Sequence, residues 1–153
     1  RDKLVTGVQT CALPIFMVSR DKIKIKGLKL DKKRLINSFK YAFEGILQAY
    51  VGEQNLKIHT VIAILVIIFG FILKISYTEW LVCLVLIGLV LMAEFFNTSI
   101  EYLVDLVSPE IHPLAKATKD TASAGVLMMA IISAIIGLII FVPKLISFIG
   151  GLL

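Results

Sequence analysis

The sequence predicts an all-α integral membrane protein: an N-terminal amphipathic surface helix followed by three transmembrane helices, assembled as a homo-oligomeric bundle. Of its 153 residues, 58% are hydrophobic. A mean hydropathy of +0.92 is far above that of a soluble domain of this size. Three apolar runs, at about residues 56–73, 80–107 and 122–142, each approach or exceed the ~20 residues that carry a helix across about 30 Å of hydrocarbon. None alternates in polarity as a strand would, and in lipid a single run satisfies its backbone only as a helix.

Taken in order, residues 1–16 are expected to be foreign to the fold. The chain opens at Arg1, whereas Met17 precedes a lysine-rich stretch that reads as a true start. The segment Val5 to Ile15 back-translates to a common sequencing-library adapter, which marks residues 1–16 as an assembly artefact. A signal peptide fits less well, because Gln9 and Thr10 interrupt a short apolar core. Residues 17–30 read as a charged cytoplasmic arm. From about 31 to 52 the pattern turns helical: Leu35, Ile36, Phe39, Phe43, Ile46, Leu47 and Tyr50 recur at three- and four-residue spacing. With Lys32, Lys33, Arg34 and Lys40 at its basic start, this is an interfacial helix. Asp31 is its expected N-cap and Gly52 its break.

The first span is almost purely aliphatic, and His59 at its edge reads as an interfacial residue rather than a ligand. Tyr77 and Trp80 read as aromatic belt residues of the second span. In the third span Ala130/Ala134 and Ser133/Gly137 form small-xxx-small pairs, which permit close helix approach in lipid. Residues 143–153 form a tail with no assigned role. Cys83, in mid-span, and Cys11 suggest neither a disulfide framework nor a metal site.

The charge distribution orients the chain. Residues 17–57 hold ten Lys/Arg against four acids, within a net charge of +5. The Ile75–Glu79 connector has no basic residue. The Ser108–Lys119 connector carries Lys116 and Lys119, and the tail carries only Lys144. The positive-inside bias puts the N-terminus and second connector in the cytoplasm and the C-terminus outside. Such a basic N-terminus suits anionic lipid, not nucleic acid.

The chemistry sits where a span should be apolar. Glu94, Asn97, Glu101 and Asp105 follow an unbroken aliphatic run. At about 100° per residue, offsets of 3, 7 and 11 fall within an arc of roughly 80°, a stripe about 16 Å long. A carboxylate in hydrocarbon costs at least a few kcal/mol, so acids here point to function. Lys119 and Asp120, with Ser123 one turn on, stand at the cytoplasmic mouth of the third span, and Glu53 precedes the first, with Arg34 upstream. Carboxylates beside Lys and Arg are the inventory for Mg²⁺ and a polyphosphate. Neither G-x-x-x-x-G-K-[ST] nor G-x-G-x-x-G is present. The rival readings are structural ion pairs or a non-enzymatic oligomer with an acidic ion pathway. A polar stripe that three spans cannot shield from lipid implies a homo-oligomer.

The motif Glu94-Phe-Phe-Asn-Thr-Ser-Ile-Glu101, with Asp105 and then Pro109-Glu-Ile-His-Pro-Leu-Ala-Lys and Lys119-Asp-Thr-Ala-Ser-Ala, resembles the prokaryotic diacylglycerol kinase family. The likeness covers roughly Arg34 to Phe141 and is strongest to the Gram-positive branch, whose members act as undecaprenol kinases. It implies a homotrimer in the bacterial cytoplasmic membrane, with active sites shared between subunits, and MgATP-dependent phosphorylation of a lipid hydroxyl. The substrate it implies is undecaprenol, with diacylglycerol as the alternative. By position, Glu94 matches the general base and Asn97 an active-site asparagine. Glu53 and Glu101 match the metal-binding glutamates. Lys119 and Asp120 match an ATP-contacting pair and Glu110, Ile111 and His112 a nucleotide-contacting stretch, and Asp105 of the stripe is counted with these ATP-binding residues. Arg34 and Tyr41 align with nucleotide- or substrate-proximal positions, and Ser123 with a substrate contact.

Overall fold

A computed structural model describes residues 32–151. The expected foreign segment, the charged arm, the Asp31 cap and the last two tail residues lie outside the described residues. Four α-helices follow one another: α1 (Lys32–Gly52), α2 (Gln54–Ile72), α3 (Tyr77–Val107) and α4 (Pro113–Gly150). Among the described residues there is no strand. α2, α3 and α4 are each long and apolar enough to cross a membrane. The chain divides into two units after Asn37. The described part of the first is the opening of α1, Lys32–Asn37, exposed except for half-buried Asn37.

In the second unit α3 is central, packing against both α4 and α2. On α2 the buried residues are Leu56, Ala63 and Gly70, a spacing of two helical turns that keeps them on one face. On α3 they are Cys83, Val90, Glu94, Asn97 and Thr98, and on α4 Val126. Large aliphatic side chains such as Ile62, Leu84, Leu127 and Leu138 point outward. Apolar surface on that scale suits a lipid solvent or partner helices, not water.

The α2–α3 turn is tightly built. α2 ends as Leu73 N–H donates to Phe69 O and Ile75 N–H to Gly70 O. Between them Lys74 adopts φ 50°, a left-handed conformation that costs a non-glycine residue roughly 1–2 kcal/mol. Gly70 answers a close approach: a Cβ there would lie 2.9 Å from two ring carbons of Trp80. Ser76 and Glu79 then form a capping box, Ser76 N–H donating to Glu79 Oε2 at 2.6 Å and Glu79 N–H to Ser76 Oγ at 3.4 Å. At this same end Lys144 of α4 pairs with Glu79 of α3 at 3.1 Å.

Two boundaries differ from the sequence reading. The second connector is only residues 108–112, because α4 begins at Pro113 rather than near residue 122. His112 is its N-cap, the Nδ1 atom accepting from Leu114 N–H at 3.2 Å, and proline is preorganised for the first helical position. Lys116, Lys119 and Asp120 are therefore helical residues. At the other end α4 continues through Pro143 to Gly150, so residues 143–150 extend the helix. One proline removes a single backbone hydrogen bond, and helices in lipid, where an unpaired backbone is worse, often run on through it.

Candidate active site

The inward face of α3 changes character along its length. Cys83 and Val90 are apolar core. One turn further on, Glu94 is 1% exposed, Asn97 5% and Thr98 2%. The Thr98 hydroxyl is spent locally, donating to Glu94 O at 3.0 Å, as is common for hydroxyls inside spans. Glu94 is thus a carboxylate held in the interior by its place on the packing face.

Asn97 organises what lies beyond. Its Nδ2 donates to Glu101 Oε1 at 2.8 Å, and its Oδ1 accepts from Ser123 Oγ of α4 at 3.3 Å. A carboxylate can only accept, so this arrangement fixes which end of the amide faces Glu101. One turn on, Asp105 pairs with Lys119 of α4 at 2.6 Å. Glu94, Asn97, Glu101 and Asp105 therefore form the stripe expected from their spacing, and α4 meets it through Ser123 and Lys119.

Glu53 joins from the α1–α2 elbow. Its extended backbone (φ −106°, ψ 121°) separates the two helices, and its N–H donates to Ala49 O at 2.9 Å. The elbow abuts α3: a Cβ on Gly52 would lie 2.9 Å from the Tyr102 hydroxyl, next in sequence to Glu101. Glu53 and Glu101 both lie within electrostatic range of Glu94 and of Lys119. α1 is tied to α2 just below, where Tyr50 OH and Thr60 Oγ1 are 2.6 Å apart. Thr60 spends its proton on Leu56 O at 2.8 Å, so the phenol is the donor.

His59 departs from its expected interfacial role. Its side chain is 19% exposed, and its Nε2 lies 3.1 Å from Glu94 Oε1. The ring N–H is not aimed at that oxygen, which has no aligned hydrogen-bond donor among the described residues. The signal was in the register: His59 stands three residues after buried Leu56 and four before buried Ala63, so it faces inward. It caps an apolar cleft of about 350 Å³ between α2, α3 and α4, lined also by Ala63, Val90, Leu91, Ser133 and Gly137. The small residues of α4 thus border a slot within the protomer.

The other matched residues are less engaged. No hydrogen bond or ion pair of this cluster reaches Tyr41, Glu110, Ile111 or Asp120 among the described residues, and all four are exposed. The Glu110 carbonyl accepts from Ser108 Oγ at 3.1 Å, and His112 serves as a helix cap. Arg34 belongs to the first unit. Among the described residues no group of three or more His, Cys, Asp and Glu is placed to hold a metal. Mg²⁺ usually takes only one or two carboxylates and completes its shell with phosphate and water, so a site for it need not gather three such groups.

The family model for prokaryotic diacylglycerol kinase matches residues 40–141. An undecaprenol kinase of Bacillus subtilis (strain 168) is 45% identical over 115 residues, 75% of this chain and 94% of that protein. A diacylglycerol kinase of Synechocystis is 36% identical over 114 residues, 74% of this chain and 65% of that protein. One from Pseudomonas aeruginosa is 36% identical over 93 residues, 61% of this chain and 76% of that protein.

Proposed function

Because the chain belongs to the prokaryotic diacylglycerol kinase family, and so is an ATP-dependent lipid kinase of a bacterial membrane, we propose that it phosphorylates undecaprenol to undecaprenyl phosphate. The choice of lipid rests on the 45% identity to the Bacillus undecaprenol kinase. Diacylglycerol, named in more distant relatives at 36% identity, is the alternative substrate.

The observation that carries the chemistry is the meeting of α3 acids, the α4 lysine and the elbow glutamate at one end of the bundle. A lipid alcohol is a weak nucleophile, and a buried carboxylate that accepts its proton strengthens it. Glu94 takes that role. As the proton passes to Glu94, the lipid oxygen bonds to the γ-phosphorus, and the bond to the β-phosphate oxygen breaks to release ADP. Glu53 and Glu101 would hold Mg²⁺, which when bound neutralises charge on the phosphate chain. Lys119, held by Asp105, adds positive charge for the same phosphates. Asn97 orients Glu101 and links α3 to α4 through Ser123, which would contact the hydroxyl end of the lipid. Asp120, Glu110, Ile111 and His112 border the nucleotide, as does Tyr41 on an amphipathic α1 lying along the membrane surface.

In the same reading the subunits form a homotrimer whose neighbours cover the exposed apolar faces and share active sites. The N-terminus and the site face the cytoplasm, as the basic N-terminal stretch favours. An acidic ion pathway would account for Glu94, Glu101 and Asp105 but would leave Lys119, Asp120 and Glu53 without a task.

The test is transfer of label from γ-labelled ATP in vesicles holding undecaprenol or diacylglycerol. Label in undecaprenyl phosphate, lost in Glu94→Gln, supports the proposal. Preferential labelling of diacylglycerol would support the alternative, and no transfer to either lipid would defeat both.

A further inference from the structure

We infer that His59 is the positioning residue for Glu94: its imidazole holds the carboxylate in the orientation from which it takes the lipid proton. The inference rests on the reading of Glu94 as the base.

Among the described residues, Glu94 and Leu56 are the two large side chains that are almost wholly enclosed. A carboxylate so placed needs a donor, since an unsatisfied buried acceptor is costly. Its neighbours on α3 do not supply one. Asn97 donates to Glu101 and accepts from Ser123 and makes no bond to Glu94 Oε1, and the Thr98 hydroxyl donates to the Glu94 carbonyl rather than to its carboxylate. The nearest ion-pairing group is His59 Nε2, at 3.1 Å from Oε1. Glu53 and Glu101 also act on Glu94 across the site, but as acids they only repel it. At 3.1 Å an imidazole N–H turned onto Oε1 would bond to it, and a hydrogen bond to a charged group is the stronger kind.

The setting argues against a filler role. His59 occupies a core-facing position between the buried apolar residues Leu56 and Ala63 of α2. Leucine would fill such a place at less cost in lipid. The ring stands at the head of the apolar cleft, which Val90 and Leu91 also line, one turn before Glu94. A base misplaced by about 1 Å can lose about 100-fold in rate. The bond from His59 would keep Glu94 from swinging away as the lipid enters.

The experiment compares wild type, His59→Leu, His59→Gln and Glu94→Gln in vesicles with undecaprenol, measuring kcat and the KM for MgATP. His59→Leu should lower kcat about 10- to 100-fold with the ATP KM unchanged. His59→Gln, whose amide can donate to Oε1, should recover most of that loss. A wild-type kcat in His59→Leu overturns the inference, as does His59→Gln no better than His59→Leu. A loss shared by kcat and ATP KM would mark a merely structural histidine and overturn it too. If Glu94→Gln itself turned over normally, the base assignment would fail, a result distinct from an inert His59.

Discussion

Replacing Asn97 by leucine removes the link between the acidic stripe and α4 while keeping the branched outline of the side chain. Two hydrogen bonds go: the amide to Glu101 at 2.8 Å and Ser123 to the amide oxygen at 3.3 Å. The first ends on a carboxylate, and such bonds contribute about 1.5–3 kcal/mol. Glu101 is only half-buried, so water screens the interaction toward the lower end, about 1.5 kcal/mol. If Glu101 serves the metal–nucleotide, that corresponds to roughly a tenfold rise in the KM for MgATP. The second bond is longer and neutral, worth about 0.5 kcal/mol, so Ser123→Ala should raise the same KM less than about threefold. Steady-state transfer in vesicles, with MgATP varied at saturating lipid, measures both. An Asn97→Leu enzyme with unaltered MgATP KM, or a Ser123→Ala enzyme as impaired as Asn97→Leu, would refute the reasoning.

Other outcomes follow from the same geometry. Glu94→Gln should lower kcat by about 10²–10⁴-fold, the range of a general base, with ATP binding retained by calorimetry. Lys119→Met should weaken MgATP binding yet leave the thermal midpoint in detergent nearly unchanged. Its partner Asp105 is 63% exposed, and such surface pairs add about 0–1 kcal/mol. Gly70→Ala places a Cβ 2.9 Å from the Trp80 ring; overpacking of that kind costs about 1–3 kcal/mol. Its thermal midpoint should fall while kcat per folded enzyme holds.

The three spans were readable because long aliphatic runs have one outcome in lipid. The stripe from Glu94 to Asp105 was readable because helical periodicity alone puts those residues on one face. The start of α4 was not placed well: Lys116 and Lys119 look like connector residues, although His112-Pro113 carried a helix-start signal. The Ser76–Glu79 capping box was likewise written in plain S-x-x-E form. Residues 143–150, set apart as a tail, continue α4, because the single bond lost at Pro143 does not outweigh the helix preference of the segments on either side. His59 was misread because it was judged by its closeness to the span's end rather than by its register with Leu56 and Ala63. The approach of Gly52 to Tyr102, which brings Glu53 to the site, depends on the angle between α1 and α2. No local pattern encodes that angle.

The claim on which the account stands is that Glu53, Glu101 and Lys119, from the α1–α2 elbow, α3 and α4, grip one magnesium-bound nucleotide. Calorimetric ATP binding, with and without Mg²⁺, on wild type, Glu53→Gln, Glu101→Gln and Lys119→Met tests it most directly. The account predicts that both glutamine variants lose the Mg²⁺-dependent part of ATP affinity, and that Lys119→Met weakens binding with or without the metal. Wild-type Mg²⁺-dependent affinity in Glu53→Gln would contradict it.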